Sequence, residues 1–257
     1  FWAGARVQGR VLWALILREI QTKFGSARLG YLWALLEPAL HMSVLYVLWS
    51  YRGREVLDGF TLELFLVTGL IPFFTFRQTY AGCEGAIKSG DSLLAHPVIK
   101  PIDLLLSKSV LEFLTRLVTL KIFLVGLWLV GSEFAIYDPL PIFVGMVMMW
   151  TLGFGLGICV EVLSLFMPGL PKFVRSGTRF LYFTSGAIIP VLSLPKSIVE
   201  ILLWNPLLHA IVILRSGFTE TPLFEGVTFQ YPAMFGVGLV GTGFIFLQAF
   251  GRRLRMS

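Results

Sequence analysis

Charge is what this sequence has least of. Asp, Glu, Lys and Arg make up 14% of its 257 residues, against about a quarter in soluble domains. The hydrophobic set AVILMFWYC reaches 56%, and mean hydropathy is +0.80. Such a chain cannot clothe a soluble domain in polar surface, so a soluble enzyme is excluded and an all-α integral membrane protein is expected. Cysteine is nearly absent as well. Cys83 and Cys159 fit no CxxC or zinc spacing and read as packing residues. Catalytic signatures are missing: His41, His96 and His209 are scattered, and there is no HExxH, no GxSxG and no paired acidic motif for a metal. No Lys follows a Gly, so the GxxxxGK[ST] phosphate loop is absent and this chain is no P-loop ATPase. If it takes part in ATP-driven transport, another chain hydrolyses the ATP.

What the sequence does have is long uncharged runs. Residues 139–160 and 226–251 carry no charge, and about 20 apolar residues cross the roughly 30 Å hydrocarbon layer. The net charge of +6 and pI near 9.5 could suggest nucleic acid, but the basic residues fall in short segments between apolar runs. They are a topology signal, and no nucleic-acid partner is expected. The chain begins with Phe1 rather than Met, so some N-terminal sequence is expected to be missing. The apolar run over 11–17 is too short for a signal peptide.

The pattern predicts an amphipathic interfacial helix over 6–28, with Trp13, Ile16, Leu17, Ile20 and Phe24 on one apolar face. Six spans follow, at 29–51, 64–83, 104–131, 140–167, 173–194 and 231–250. The third carries Glu112, Arg116 and Lys121, with Glu112 and Arg116 spaced to pair at i, i+4. Glu161 lies close enough to the end of the fourth span to reach headgroups. Residues 84–103 are polar and broken by Gly85, Gly90, Pro97 and Pro101, so they must leave the membrane. Between spans five and six, 195–218 holds two short apolar pieces divided by Asn205-Pro206, predicting two re-entrant half-helices. With six spans and both termini inside, fourteen basic residues lie on the inner side and four (Arg52, Arg54, Lys196, Arg215) on the outer. A seventh span would turn the cluster Arg252, Arg253, Arg255 outward, against the positive-inside rule.

Two stretches carry a resemblance. Residues 17–38, LREIQTKFGSARLGYLWALLEP, resemble the N-terminal signature of ABC-2 type exporter permeases, and 89–106, SGDSLLAHPVIKPIDLLL, resemble that family's segment between spans two and three. The whole chain is most similar to the capsular polysaccharide export permeases of the KpsM type. That resemblance implies a homodimer in the bacterial inner membrane, joined to two copies of a separate ABC ATPase that binds ATP and Mg. It also implies an envelope-spanning, co-polymerase-like adaptor and an outer-membrane export protein as partners, lipid-linked polysaccharide as substrate, and no cofactor in this chain. The ATPase would meet the interfacial helix at Arg18, Glu19 and Lys23, and the coupling segment at Glu84, Lys88, Asp91, Leu93, Leu94, His96 and Pro97. Trp204, Asn205, Pro206 and His209 would form an outer gate. On the residues alone, 84–103 could be an ordinary solvated turn, but Leu93-Leu94 beside charges favours a protein contact.

Glu37 and Arg77 lie about 12 and 9 Å from the inner ends of their spans, at comparable depth. Intramembrane charges pair or face a cavity, unless they snorkel to headgroups; pairing or exposure to a passage is the reading adopted. Aromatic side chains could stack on sugar rings, although interfacial belts and packing explain most of them. The candidate passage residues are Trp33, Glu37, Tyr46, Trp49, Phe73, Phe76, Arg77, Tyr80, Arg116 and Lys121. Gly153, Gly155 and Gly157, and the set Gly236, Gly238, Gly241 and Gly243, are read as helix-packing positions. Alternatives are an O-antigen or teichoic-acid exporter permease, a membrane enzyme of glycan or lipid synthesis, and an ATP-independent carrier. Missing acid clusters count against the enzyme, and a helix break in only one half counts against the carrier.

Overall fold

The computed structural model describes residues 2–24, 30–50, 55–57, 60–191, 194–220 and 224–254. They form eleven helices and one small two-stranded ladder. Among them, Leu32–Ser50, Pro139–Leu163 and Gln230–Phe250 are long and apolar enough to cross a membrane. The central element is α3 (Leu62–Cys83), buried along most of its length. Its start is set by Thr61, whose hydroxyl accepts the Leu64 N–H at 3.4 Å, just after the ladder of β1 (Glu55–Leu57) and β2 (Phe60–Thr61). Pro72 sits inside α3 without ending it, as Pro38 does inside α2 (Gly30–Ser50); packed neighbours make this tolerable in a membrane helix.

Around α3 lie α2, α6 (Pro101–Leu129), α7 (Pro139–Leu163) and α10 (Pro206–Ser216), with α11 (Gln230–Leu254) on the far side of α7. Small residues on α7 allow this layering. A Cβ at Gly153 would come within 2.4 Å of the Phe76 carbonyl of α3, and one at Gly155 within 2.6 Å of Leu239 on α11. In lipid, where apolar surface gives helices no net reason to associate, such close approach supplies the dispersion that does. The two ends of the bundle differ. One end, here the proximal end, carries α1 (Trp2–Phe24) and the short helices α4 (Ala86–Ser89) and α5 (Asp91–Leu94). The other, the distal end, carries the β ladder and residues 130–138, 217–220 and 224–229. Tyr137 and Asp138 N–H both donate to the Gly217 carbonyl there, at 3.0 and 3.2 Å.

Several expectations need correction. Among the described side chains of α1, Leu15 and Ile16 are buried while Trp13 and Leu17 are exposed, and that of Phe24 lies outside those described; packing against α6 sets the inward face, and apolar groups remain outward. No continuous helix covers 173–194. Instead α8 (Leu170–Thr184) ends at Ser185 and Gly186, which has φ +75°, a conformation glycine takes without strain. Fifteen residues reach about 22 Å, less than the hydrocarbon thickness. The chain then runs over Gly69, where any Cβ would strike the Ala187 carbonyl at 2.1 Å. The segment after α8 forms α9 (Lys196–Leu202) and α10, bent by 105°. Gly238 and Gly241 meet nothing within 4 Å, so they are not packing positions within one chain, whereas Gly236 and Gly243 are close to α7.

Candidate functional site

Chemistry-bearing side chains gather in three places. The first is a polar stripe where α2, α3, α6 and α8 meet. Glu37 is its hub: Arg77 Nη2 lies 3.5 Å from Oε1 and Arg116 Nη2 3.6 Å from Oε2, while Gln78 donates to both oxygens at 3.2 and 3.4 Å. Arg77 is 45% exposed and Arg116 only 4%. One turn along α2, His41 shares a 2.5 Å hydrogen bond with Tyr182 of α8 and sets its ring edge-on to Phe74. Arg77 and Arg116 both stand over the Phe74 face, where the ring quadrupole favours a cation. Glu112 and Arg116 make no direct ion pair, although the Glu112 charge still acts favourably on Arg116. Glu112 pairs with Lys23 of α1, and Arg116 reaches Glu37 because α2 packs on that side of α6.

The other candidate passage residues divide. Trp33 is exposed on α2, and Lys121 is exposed on an apolar groove lined by Leu117, Leu124 and Phe134. Tyr46 and Trp49 are half-buried against the core. Phe73, Phe76 and Tyr80 are buried within the chain and offer no surface to a passage; the α7 glycines and α8 cover them, and the Tyr80 hydroxyl donates to the Pro171 carbonyl at 3.3 Å.

The second place is the proximal end. Glu84 holds Arg175 of α8 at 2.6 Å, and Lys108 donates to Ser89 at 3.0 Å. Arg18 sits 3.8 Å from Glu19 on α1. Lys88, Asp91, His96 and Pro97 face outward, and Leu93 is half-buried. Leu94 is not part of an exposed apolar pair. It is 8% exposed, packed into the cluster of Leu15, Ile87, Leu104 and Leu105, and Val98 is the exposed apolar residue of the segment. The residue missed here is Glu161. It does not reach toward headgroups but accepts N–H bonds from Gly85 at 2.6 Å and Ile87 at 3.0 Å, tying α7 to the start of α4. Asp103 acts similarly. It accepts the Lys100 N–H at 2.8 Å and a bond from Gln8 of α1, so one carboxylate caps α6 and latches α1 to it. An acid after an X-Pro pair was a readable cap signal; nothing in the sequence marked Glu161.

The third place is the α9–α10 corner. Asn205 caps α10, accepting from Leu207 N–H at 3.0 Å while its amide donates to Thr184 at 3.0 Å, and Pro206 occupies the first turn. His209 is buried: Nδ1 accepts from Thr228 N–H at 3.1 Å, which leaves Nε2–H to donate to the Leu203 carbonyl at 2.8 Å. Trp204 is 79% exposed beside an open cavity of about 300 Å³ that His209, Thr228 and Tyr231 also line. Arg215, counted by sequence as an outer-loop charge, is buried instead. Its guanidinium donates to Thr68 at 3.3 Å, Gly186 carbonyl at 2.9 Å and Phe65 carbonyl at 3.0 Å, and stacks 3.9 Å above the Phe65 ring. Among the described residues no group of His, Cys, Asp and Glu could hold a metal ion.

Comparison with known proteins agrees with this architecture. Residues 10–219 match the family model described as ABC-2 type transporter. The chain is 34% identical over 233 residues to polysialic acid transport protein KpsM of Escherichia coli, covering 91% of this chain and 90% of that one. It is 27% identical to the capsule polysaccharide export inner-membrane protein CtrC of Neisseria meningitidis serogroup B, covering 90% and 86%. With the O-antigen export system permease protein RfbA of Klebsiella pneumoniae it shares 24% identity, over 87% and 86%. A family match that runs from α1 past α10, joined to a relative aligned over nine-tenths of its length, means that this chain belongs to the ABC-2 type transporter family.

Proposed function

We propose that this chain is the membrane permease subunit of an ATP-driven exporter that carries lipid-linked capsular polysaccharide outward across a bacterial inner membrane. The observation that carries this reading is the near full-length similarity to a polysialic acid transport protein. The polar stripe supports it: Glu37, Arg77 and Gln78 are partly exposed at a level where lipid would penalise them, as suits a surface facing a water-filled passage. Two copies of this subunit enclose that passage, and two copies of a separate ATPase, binding ATP and Mg, work on α1 and α4–α5. An envelope-spanning adaptor and an outer-membrane export protein receive the polymer.

Six crossings fit this arrangement. Helices α3 and α6 are about 33 and 43 Å long, enough to span, and Arg77, Glu112 and Arg116 on them pair with Glu37 and Lys23 rather than meeting lipid. The fifth crossing is built from α8 and the turn after it, and α9–α10 dips back from the distal face as an outer gate. Similarity to an O-antigen permease keeps that polymer class as the second reading. The test is genetic and biochemical. Deleting the chain should leave polysaccharide inside the cell and restoring it should return polymer to the surface, and the tagged chain should co-purify with an ABC ATPase. Unchanged surface polysaccharide after deletion rules the reading out.

A further inference from the structure

Helix α8 turns one face to the bundle and leaves the other uncovered. Thr178 is buried, and Leu181 and Tyr182 pack inward, whereas Lys172, Arg175 and Arg179 are exposed. At 3.6 residues per turn these three cations lie within about 60° of one another, a row about 10 Å long. Phe173, Phe180 and Phe183 are exposed beside them. The row is not a solvated loop. Pro171 accepts from Tyr80, Arg175 meets Glu84 at the end of α3, and Tyr182 lies 4.8 Å from Phe73 and bonds His41. So α8 climbs along the proximal half of α3, and Arg179 stands about 6 Å above Arg175, near the level of Arg77. A guanidinium there cannot face hydrocarbon without a large penalty, so it faces water or an anion.

The ion pairs say which. Each cation next to this face that has a partner has a carboxylate: Glu84 on Arg175 and Glu37 on Arg77. Among the described residues Lys172 and Arg179 have none. Guanidinium forks match carboxylate and phosphate oxygens two at a time. We propose that Lys172, Arg175 and Arg179 form a binding row for acidic groups, carboxylate or phosphate, of the exported polymer, and that Glu84 competes with the polymer for Arg175. This rests on the export reading above. Because Glu84 caps the end of α3 and is separated from α4 only by Gly85, the same bond links occupancy of the row to the segment facing the ATPase. When the polymer takes Arg175, Glu84 is released, and the state of the row reaches α4 through one side chain.

The experiment uses the full chain in phosphatidylcholine nanodiscs, with polysialic acid oligomers, poly(glycerol phosphate) and neutral dextran of matched length as probes. Wild type should bind at least one acidic probe and not dextran. Arg175→Gln with Arg179→Gln should weaken that binding at least tenfold, while Arg175→Lys with Arg179→Lys should keep most of it. Glu84→Gln should tighten binding several-fold by freeing Arg175, an effect that a purely structural ion pair would not produce. Equal acidic binding by the double Gln variant, or failure of wild type to bind either acidic probe, overturns the proposal. So does a double variant altered only in nanodiscs containing phosphatidylglycerol, which would assign the row to lipid headgroups. Export by cells separates the two readings: a double Gln variant that restores surface polysaccharide as fully as wild type removes the row and leaves the permease intact.

Discussion

Glu37 serves two guanidinium groups of very different exposure, and that asymmetry ranks the substitutions. Arg77 is nearly half exposed, so Arg77→Gln removes a pair worth about 0 to 1 kcal/mol. Glu37→Gln takes the carboxylate from Arg116, which is almost fully buried and keeps the Ala34 carbonyl at 3.4 Å, and breaking a buried pair from one side costs up to roughly 3 to 5 kcal/mol. Thermal unfolding in detergent should therefore show a large loss for Glu37→Gln and a small one for Arg77→Gln. Adding Arg116→Gln to Glu37→Gln should recover part of the loss, and adding Arg77→Gln should not; the reverse ranking would mean that Arg77 is the structural partner. Counting turns from the span ends was enough to bring Glu37 and Arg77 to one level. Arg116 could not be added by counting, because the face of α6 that meets α2 is decided by packing. Glu161 makes a parallel case. Its carboxylate accepts two N–H groups at the root of α4, and each donor left unsatisfied in a buried setting costs about 1 to 3 kcal/mol. Glu161→Ala should lower stability and reduce ATPase co-purification, with Glu161→Gln intermediate because one acceptor oxygen remains. Unaltered co-purification with a folded Glu161→Ala chain would show that α4 keeps its place without this bond.

Elements were legible where hydropathy and breaker residues agreed, and less so where a charge or a turn was satisfied across the fold. Helices α7 and α11 follow from long uncharged runs, α2 from an apolar run broken only by Glu37-Pro38, and the α9–α10 corner from Asn205-Pro206, whose side chain and ring cap α10 as their types suggest. Helix α8 was overextended because Ser185 and Gly186 look helix-compatible in an apolar context, while the bond from Arg215 to the Gly186 carbonyl is what holds the turn. Leu94 was misassigned for a similar reason: adjacent Leu residues beside charges look exposed until α5 shows which one turns inward. Arg215 is the pin that joins α10, α3 and the α8 turn, and its chemistry makes a discriminating prediction. Arg215→Lys keeps a charge in the same dry place but cannot reach all three acceptors, losing one or two charge-assisted bonds of about 1.5 to 3 kcal/mol each. Arg215→Met loses the bonds and also the burden of a desolvated charge. The Met variant should unfold at a higher temperature than the Lys variant. A Lys variant at least as stable as Met would show that the multidentate bonding seen here contributes little.

At the scale of the whole molecule, two independent arguments meet in one topology. The first is geometric: Tyr137 and Asp138 bond the Gly217 carbonyl, so the α6–α7 and α10–α11 connections share an end, and α4–α5 lies at the opposite one. The second is electrostatic: basic residues gather at the α4–α5 end, on α1 and at the start of α8, which the positive-inside rule assigns to the cytoplasm. The geometry alone says which residues label together, and the charge says from which side. Both native cysteines are buried, so a single introduced cysteine reports its own position over a low background. Cysteine at Glu133 or Glu220 should react with a membrane-impermeant maleimide on intact cells. Cysteine at Asp91 or His96 should react only after permeabilisation. If Glu133 and Glu220 label from opposite sides, the shared connection at Gly217 is wrong and the bundle with it. If the two pairs simply exchange behaviour, the bundle stands and the charge argument fails; α4–α5 would then face away from ATP, and no cytoplasmic ATPase could drive export through that segment.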